Sequence, residues 1–229
     1  MRKLTVPMTE KETNWGWIYF ICQMTFLQMI LIAIGYYLGI ELSETTGNFL
    51  YFSINFICTI LIFHKYLLAS LKIALENPLR CVTFVAMGFA LYYLLSLLNG
   101  TLIYKLYPNF NNVNDNSIIE MADQSPLLMM VGVVCLVPLA EEMTFRGLIF
   151  RPLYNRSHLL AYLVSTVGFS LLHIMGYIGQ YEPVLLFLCF IQYIPAGFCL
   201  GWVYARTNTI ITPILLHTTV NLISMLTSR

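Results

Sequence analysis

Hydrophobic windows of about 20 residues, divided by short polar breaks, set the pattern of this chain. Each is long enough to cross the roughly 30 Å hydrocarbon core of a bilayer as a helix. The first runs from near Trp17 to Ile40, with Trp15 and Trp17 placed as interface anchors. The second covers about Phe49 to Leu68 and the third about Cys81 to Leu98. A polar stretch from Asn99 to Ser125, containing Asn111-Asn112-Val113-Asn114-Asp115-Asn116, reads as a loop. The fourth window starts near Pro126 and stays compatible with a helix to about Tyr154; the last three cover Leu159–Ile174, Pro183–Tyr204 and Thr209–Leu226. Residues 1–14 are polar, and the 24 apolar residues from Trp17 to Ile40 exceed a signal-peptide core and lack a small-residue cleavage site. The expected fold is all-α, a polytopic transmembrane helical bundle of about seven spans. An eighth full span would break the alternation described next, although a re-entrant segment would not.

Composition supports this reading. Hydrophobic residues make up 59% of the 229 and charged residues 10%, against about 25% charged in soluble domains. A net charge of +1 argues against nucleic acid as a partner. The six cysteines all fall in apolar stretches without a CxxC pair, which suits packing better than disulfides or a thiolate metal site. Arg2, Lys3, Lys11, Lys65, Lys72, Arg80, Arg151, Arg156 and Arg206 fall on one side of the expected membrane; Lys105 and Arg229 fall on the other. That bias predicts a multi-pass protein of the cell membrane with a cytoplasmic N-terminus and an extracytoplasmic C-terminus. Gly197 and Gly201 form a small-xxx-small face for close helix packing, Pro195 predicts a kink, Asn208 an N-cap for the seventh helix, and Pro213 a bend or a later start.

Six polar residues lie where lipid-compatible residues are expected: Glu141, Glu142, Arg146, His173, His217 and Asn221. A charged side chain at membrane depth costs on the order of 2.5 kcal/mol or more unless it is paired or wet. Glu142 and Arg146 are one helical turn apart and can pair, whereas Glu141 points about 100° away with no local partner. Glu141 and His173 lie sixteen residues on either side of Ser157, so an antiparallel hairpin sets them at one depth. His217 and Asn221, four apart, share one helix face. Taken singly, His173 reads as a satisfied core histidine, Asn221 as interhelical glue and Glu142–Arg146 as a structural pair. Taken together, they predict one buried pocket among the last four helices. A carboxylate in an apolar surround makes a general base. Glu141 with His173 could activate a water, and His217 with Asn221 could stabilise an oxyanion. The same residues suit Zn²⁺ held by His173, His217 and Glu141 with an open water position, although there is no HExxH motif.

Glu141-Glu142-x-x-x-Arg146, Phe169-x-x-x-His173 and His217-x-x-x-Asn221, in that order in consecutive spans, resemble the three motifs of the CPBP family. These are the CAAX-protease and bacteriocin-processing intramembrane proteases, also called the Abi family, which include the type II CAAX prenyl endopeptidases. The segment Gly201-Trp202-Val203-Tyr204-Ala205-Arg206-Thr207-Asn208 before Pro213 and His217 is also similar to the family's last motif context. The resemblance covers about residues 126–226 and divides the chain into N-terminal transmembrane helices with a polar loop (1–125) and a catalytic core (126–229). It implies an intramembrane endopeptidase with Glu141 as general base, His173 holding the water, His217 and Asn221 at the oxyanion, and Glu142 and Arg146 in support. It leaves both a metal-dependent and a metal-free mechanism open. The implied partners are membrane lipid and a peptide or membrane-protein substrate: a CAAX-type protein, or a bacteriocin or pheromone precursor. The alternatives are a non-catalytic bacteriocin-immunity or regulatory protein that binds a peptide or a sensor kinase, and a proton-coupled transporter, for which no internal repeat is found.

Overall fold

The computed structural model describes residues 3–227. Eight helices make up the described chain: α1 Glu10–Leu38, α2 Glu44–Glu76, α3 Pro78–Leu106, α4 Val113–Gln124, α5 Pro126–Tyr154, α6 His158–Met175, α7 Pro183–Thr207 and α8 Ile211–Thr227. The protein is a polytopic membrane-spanning helical bundle. Six of these helices (α1, α2, α3, α5, α6 and α7) are long and apolar enough to cross a bilayer; α8, at 17 residues, is shorter. Their outward faces carry large apolar side chains such as Ile32, Leu61, Leu97 and Leu159, which only lipid would solvate favourably. The expected spans stand with shifted ends.

Two local expectations are overturned. The polar stretch after the third span is not a loop throughout: α3 runs on to Leu106, and the Asn-rich run opens α4. Asn112 is its N-cap, its side chain accepting from the backbone N–H groups of Asn114 and Asp115. Asn favours this position because its short side chain reaches orphan amides at a helix start. Asn208, expected as an N-cap of the seventh span, instead ends α7 in the left-handed conformation (φ 60°). Asn tolerates that conformation better than most residues. Thr209 Oγ1 accepts from Ile211 N at the start of α8.

α5 is the most buried span and the axis of the bundle. It packs against α1, α2, α6 and α8, while α7 packs against α3, α6 and α8. A Cβ at Gly197 would lie 3.1 Å from Thr166 Cα, and one at Gly88 2.5 Å from Val203, so these glycines set the approach of α7 to α6 and of α3 to α7. Pro195 lies inside a continuous α7; the Ile191 carbonyl it leaves without a helical donor accepts from Asn99 Nδ2 of α3 at 2.8 Å. The irregular point is in α2, where Phe63 leaves helical geometry (φ −106°, ψ 18°). The Tyr66 N–H donates there to Glu12 Oε1 of α1 at 2.7 Å.

The N-terminal segment is packed into the core and hydrogen-bonded to the helix turns. Leu4 and Val6 are buried in the core. Leu4 exchanges two hydrogen bonds with Asn155, Arg151 donates twice to the Val6 carbonyl, and Thr5 N donates to Asn208. This strap ties together the α5–α6 and α7–α8 turns at one end of the bundle. Glu12 also forms a capping box with Thr9. Replacement Glu12→Ala therefore removes a cap and strands the Tyr66 N–H; the expected cost is about 1–3 kcal/mol in detergent unfolding. Glu10→Ala, two residues away and exposed, should change stability by less than about 0.5 kcal/mol.

Candidate active site

α5 departs from α-helical geometry twice, in wide π-type turns over Met130–Leu136 and Met143–Phe150. Each ends two residues before a proline, Pro138 and Pro152. A proline inside a helix lacks the donor and its ring collides with the carbonyl four residues back, and the wider turn relieves both problems. The Val137 N–H bonds the Gly132 carbonyl, and Pro138 has no N–H, so the Val133 carbonyl is left for another donor. Asn221 Nδ2 of α8 donates to it at 2.9 Å. The first expected role of Asn221, interhelical glue, is thus visible in the packing, and its second amide hydrogen remains for the cavity.

Between the two wide turns lies the short α-helical segment Val137–Glu142. Its last two residues go to different fates. Glu142 is fully buried; Oε2 pairs with Arg146 Nε at 3.2 Å, and Oε1 lies 2.9 Å from His217 Nδ1. Arg146 is equally buried, donates from Nη2 to the Gly197 carbonyl and stacks its guanidinium over Phe169, Cζ 4.6 Å from the ring centre. A pair expected to support Glu141 therefore reaches across to α8 and fixes His217 instead. Because Glu142 accepts at Nδ1, His217 turns Nε2 toward Glu141, 3.9 Å from Oε2. Glu141 Oε2 has no hydrogen-bond partner among the described residues.

His173 is oriented by its own helix. Its Nδ1 lies 2.9 Å from the Phe169 carbonyl, and a carbonyl only accepts, so Nδ1 carries the proton and neutral His173 keeps a bare Nε2. Phe169 forms the floor, its ring 4.7 Å from the His173 ring and 5.8 Å from the His217 ring. Glu141, His173, His217 and Asn221 all line one cavity of about 580 Å³, which α4 covers through Asn114, Asp115 and Ser117. Burial raises the Asp115 carboxyl above its ordinary pKa, opposed by its hydrogen bond from Tyr193. Among the described residues no group of three His, Cys, Asp or Glu side chains lies close enough together to share a metal ion.

Asp115 and Tyr193 were not legible as site residues. Tyr193 sits in an apolar span and Asp115 in a stretch that reads as turn-forming, and only the tertiary fold brings them to His173.

A membrane-spanning helical bundle with a carboxylate–histidine centre between its last four helices is the class that this fold and site define. Residues 123–223 are similar to the family model described as type II CAAX prenyl endopeptidase Rce1-like. The matched region holds all six polar residues of the site. The chain is 31% identical over 112 residues to the UPF0177 protein YxdF of Lactococcus lactis subsp. lactis (strain IL1403), covering 48% of this chain and 55% of that protein. It is 31% identical over 109 residues to the "Putative membrane peptidase YdiL" of Bacillus subtilis (strain 168), covering 47% of this chain and 40% of that one. The chain thus spans about half the length of the curated relatives it matches. No solved structure matches it.

The buried pair predicts a specific stability pattern. Arg146→Leu leaves Glu142 charged without its ion-pair partner and should cost about 3–5 kcal/mol in thermal unfolding. Pairing Arg146→Met with Glu142→Gln should recover much of that loss, because no uncompensated charge remains.

Proposed function

We propose that this chain is an intramembrane endopeptidase that hydrolyses a peptide bond with a water activated by Glu141 and His173. One observation supports the reading: of two adjacent carboxylates, Glu142 is held by Arg146 and His217, while Glu141 lines the cavity and its Oε2 has no hydrogen-bond partner among the described residues. A purely structural centre has use for the first and none for the second.

In this reading the water sits between Glu141 and the bare Nε2 of His173. Glu141 takes a proton as the water oxygen attacks the scissile carbonyl carbon. The developing oxyanion meets the free amide hydrogen of Asn221 and the Nε2–H of a doubly protonated His217. With His217 in that form, the charges of Glu141, Glu142, Arg146 and His217 sum to zero, which limits the cost of burying them. Glu141 then returns its proton to the leaving amine as the C–N bond breaks.

The cavity also bears on the substrate. Among the described residues its wall carries Glu44, Asp115 and Glu141 and no Lys or Arg. A free C-terminal carboxylate would find no Lys or Arg there and would face three carboxylates, so the wall favours an internal peptide segment, neutral or basic, over a peptide bound by its C-terminus. The end of the bundle gathered by the strap carries Arg80, Arg151 and Arg206. By the positive-inside bias this end, with the N-terminus, faces the cytoplasm.

The test is cleavage of a quenched fluorogenic peptide library by the purified full chain in liposomes. Glu141→Gln and His173→Ala should each lower turnover by about 10²-fold or more with unchanged melting, a strong chelator should leave the rate intact, and C-terminally amidated peptides should be cut at least as well as free acids. Cleavage by Glu141→Gln at the wild-type rate would contradict the reading. No cleavage by any form, with bacteriocin resistance that survives Glu141→Gln in cells, would favour the immunity or regulatory role.

A further inference from the structure

Helix α4 belongs to no membrane span, yet its N-terminal turn holds a residue that touches the site. Tyr193 of α7 lies parallel to His173, ring centres 4.1 Å apart and planes 27° from one another. The stack is on the ring face, so it leaves both His173 nitrogens free for the Phe169 carbonyl and for the cavity. The Tyr193 hydroxyl in turn donates to Asp115 Oδ1 at 2.6 Å and accepts from Asn114 Nδ2 at 3.0 Å. Asn112, the N-cap of α4, donates from Nδ2 to Gln192 Oε1 at 2.9 Å. The bonds are polar and directional where the helix could have docked through apolar contact alone.

A flat aromatic ring can slide or turn over an imidazole with little penalty; a hydroxyl anchored at both a donor and an acceptor cannot. Phe in place of Tyr193 would supply the same apolar surface. What the hydroxyl adds is a fixed position, at the tip of the ring that bears on His173.

We propose that Asp115 and Tyr193 are positioning residues for His173: Asp115, carried by α4, fixes the Tyr193 hydroxyl, and the Tyr193 ring holds the imidazole in the orientation that presents Nε2 to the cavity. The site is then complete only when α4 is docked on α7. This rests on the endopeptidase reading for its kinetic consequence, but its geometric content stands without it.

The experiment therefore has two arms. In the first, the full chain labelled with ¹³C,¹⁵N-histidine is studied by NMR in detergent micelles, the His173 signal being the one lost in His173→Gln. The Tyr193 ring current should displace the His173 ring protons; Tyr193→Leu should abolish the displacement, Asp115→Ala and Tyr193→Phe should reduce it, and Asp115→Asn, which keeps an acceptor, should preserve most of it. A His173 signal unmoved by Asp115→Ala would overturn the proposal, even if that variant melted earlier, because α4 would then be only a clasp. This arm needs no substrate, so it separates failure of the proposal from failure of the peptidase reading. In the second arm, on a library peptide that wild type cleaves, Asp115→Ala and Tyr193→Phe should each lower kcat about three- to tenfold, the rate equivalent of one net hydrogen bond. KM should stay within about twofold, and the double variant should be no slower than the slower single, since both remove the same bond. A rise in KM at constant kcat, or additive losses, would overturn it.

Discussion

Two carboxylates at adjacent positions of a buried helix cannot both be left to the interior, and the rest of this molecule follows from how that conflict is resolved. Glu142 is neutralised within its own helix by Arg146 and bound across the bundle by His217. Arg146 needs the Gly197 carbonyl and the Phe169 ring in addition, so the ion pair draws α6 and α7 to α5. Removing either charge strands the other. The arrangement fixes the relative positions of α5, α6, α7 and α8 and at the same time aims His217 at Glu141.

The second constraint is the supply of backbone donors. In lipid an unsatisfied carbonyl has no water to turn to, and this chain places prolines inside its spans. Pro138 and Pro195 each leave a carbonyl free, and each carbonyl is taken by an asparagine from another helix, Asn221 and Asn99. Irregularity in one helix thus becomes a bond to a neighbour. The wide turn before Pro138 and the one before Pro152 also bracket the segment that ends in Glu141 and Glu142, so the distortion and the chemistry share one stretch of chain.

Hydropathy made the spans legible, because a stretch of about 20 apolar residues has few other uses. Helical spacing made Glu142–Arg146 legible as a pair and set His217 and Asn221 on one face. The onward bond of Glu142 was not legible, because His217 lies 75 residues away and only the packed bundle brings it near. The Asn-rich run was misread for a related reason: Asn and Asp favour turns locally, and the tertiary bonds to Gln192 and Tyr193 that hold α4 carry no local signal. The break at Phe63 has no proline or glycine to announce it; its mark is the Glu12 carboxylate of another helix. Local pattern reveals elements and periodic pairs, and it is silent on which buried polar groups meet across the bundle.

The central claim is that Glu141 serves as a base toward water and not as a nucleophile toward the peptide. It is tested most directly by many turnovers in H₂¹⁸O, followed by mass analysis of the peptide that contains Glu141. The account predicts ¹⁸O in the carboxyl group of the cleaved product and none in the Glu141 side chain. Label in the Glu141 carboxylate would mean that an acyl-enzyme anhydride had formed and been hydrolysed, and would contradict the account.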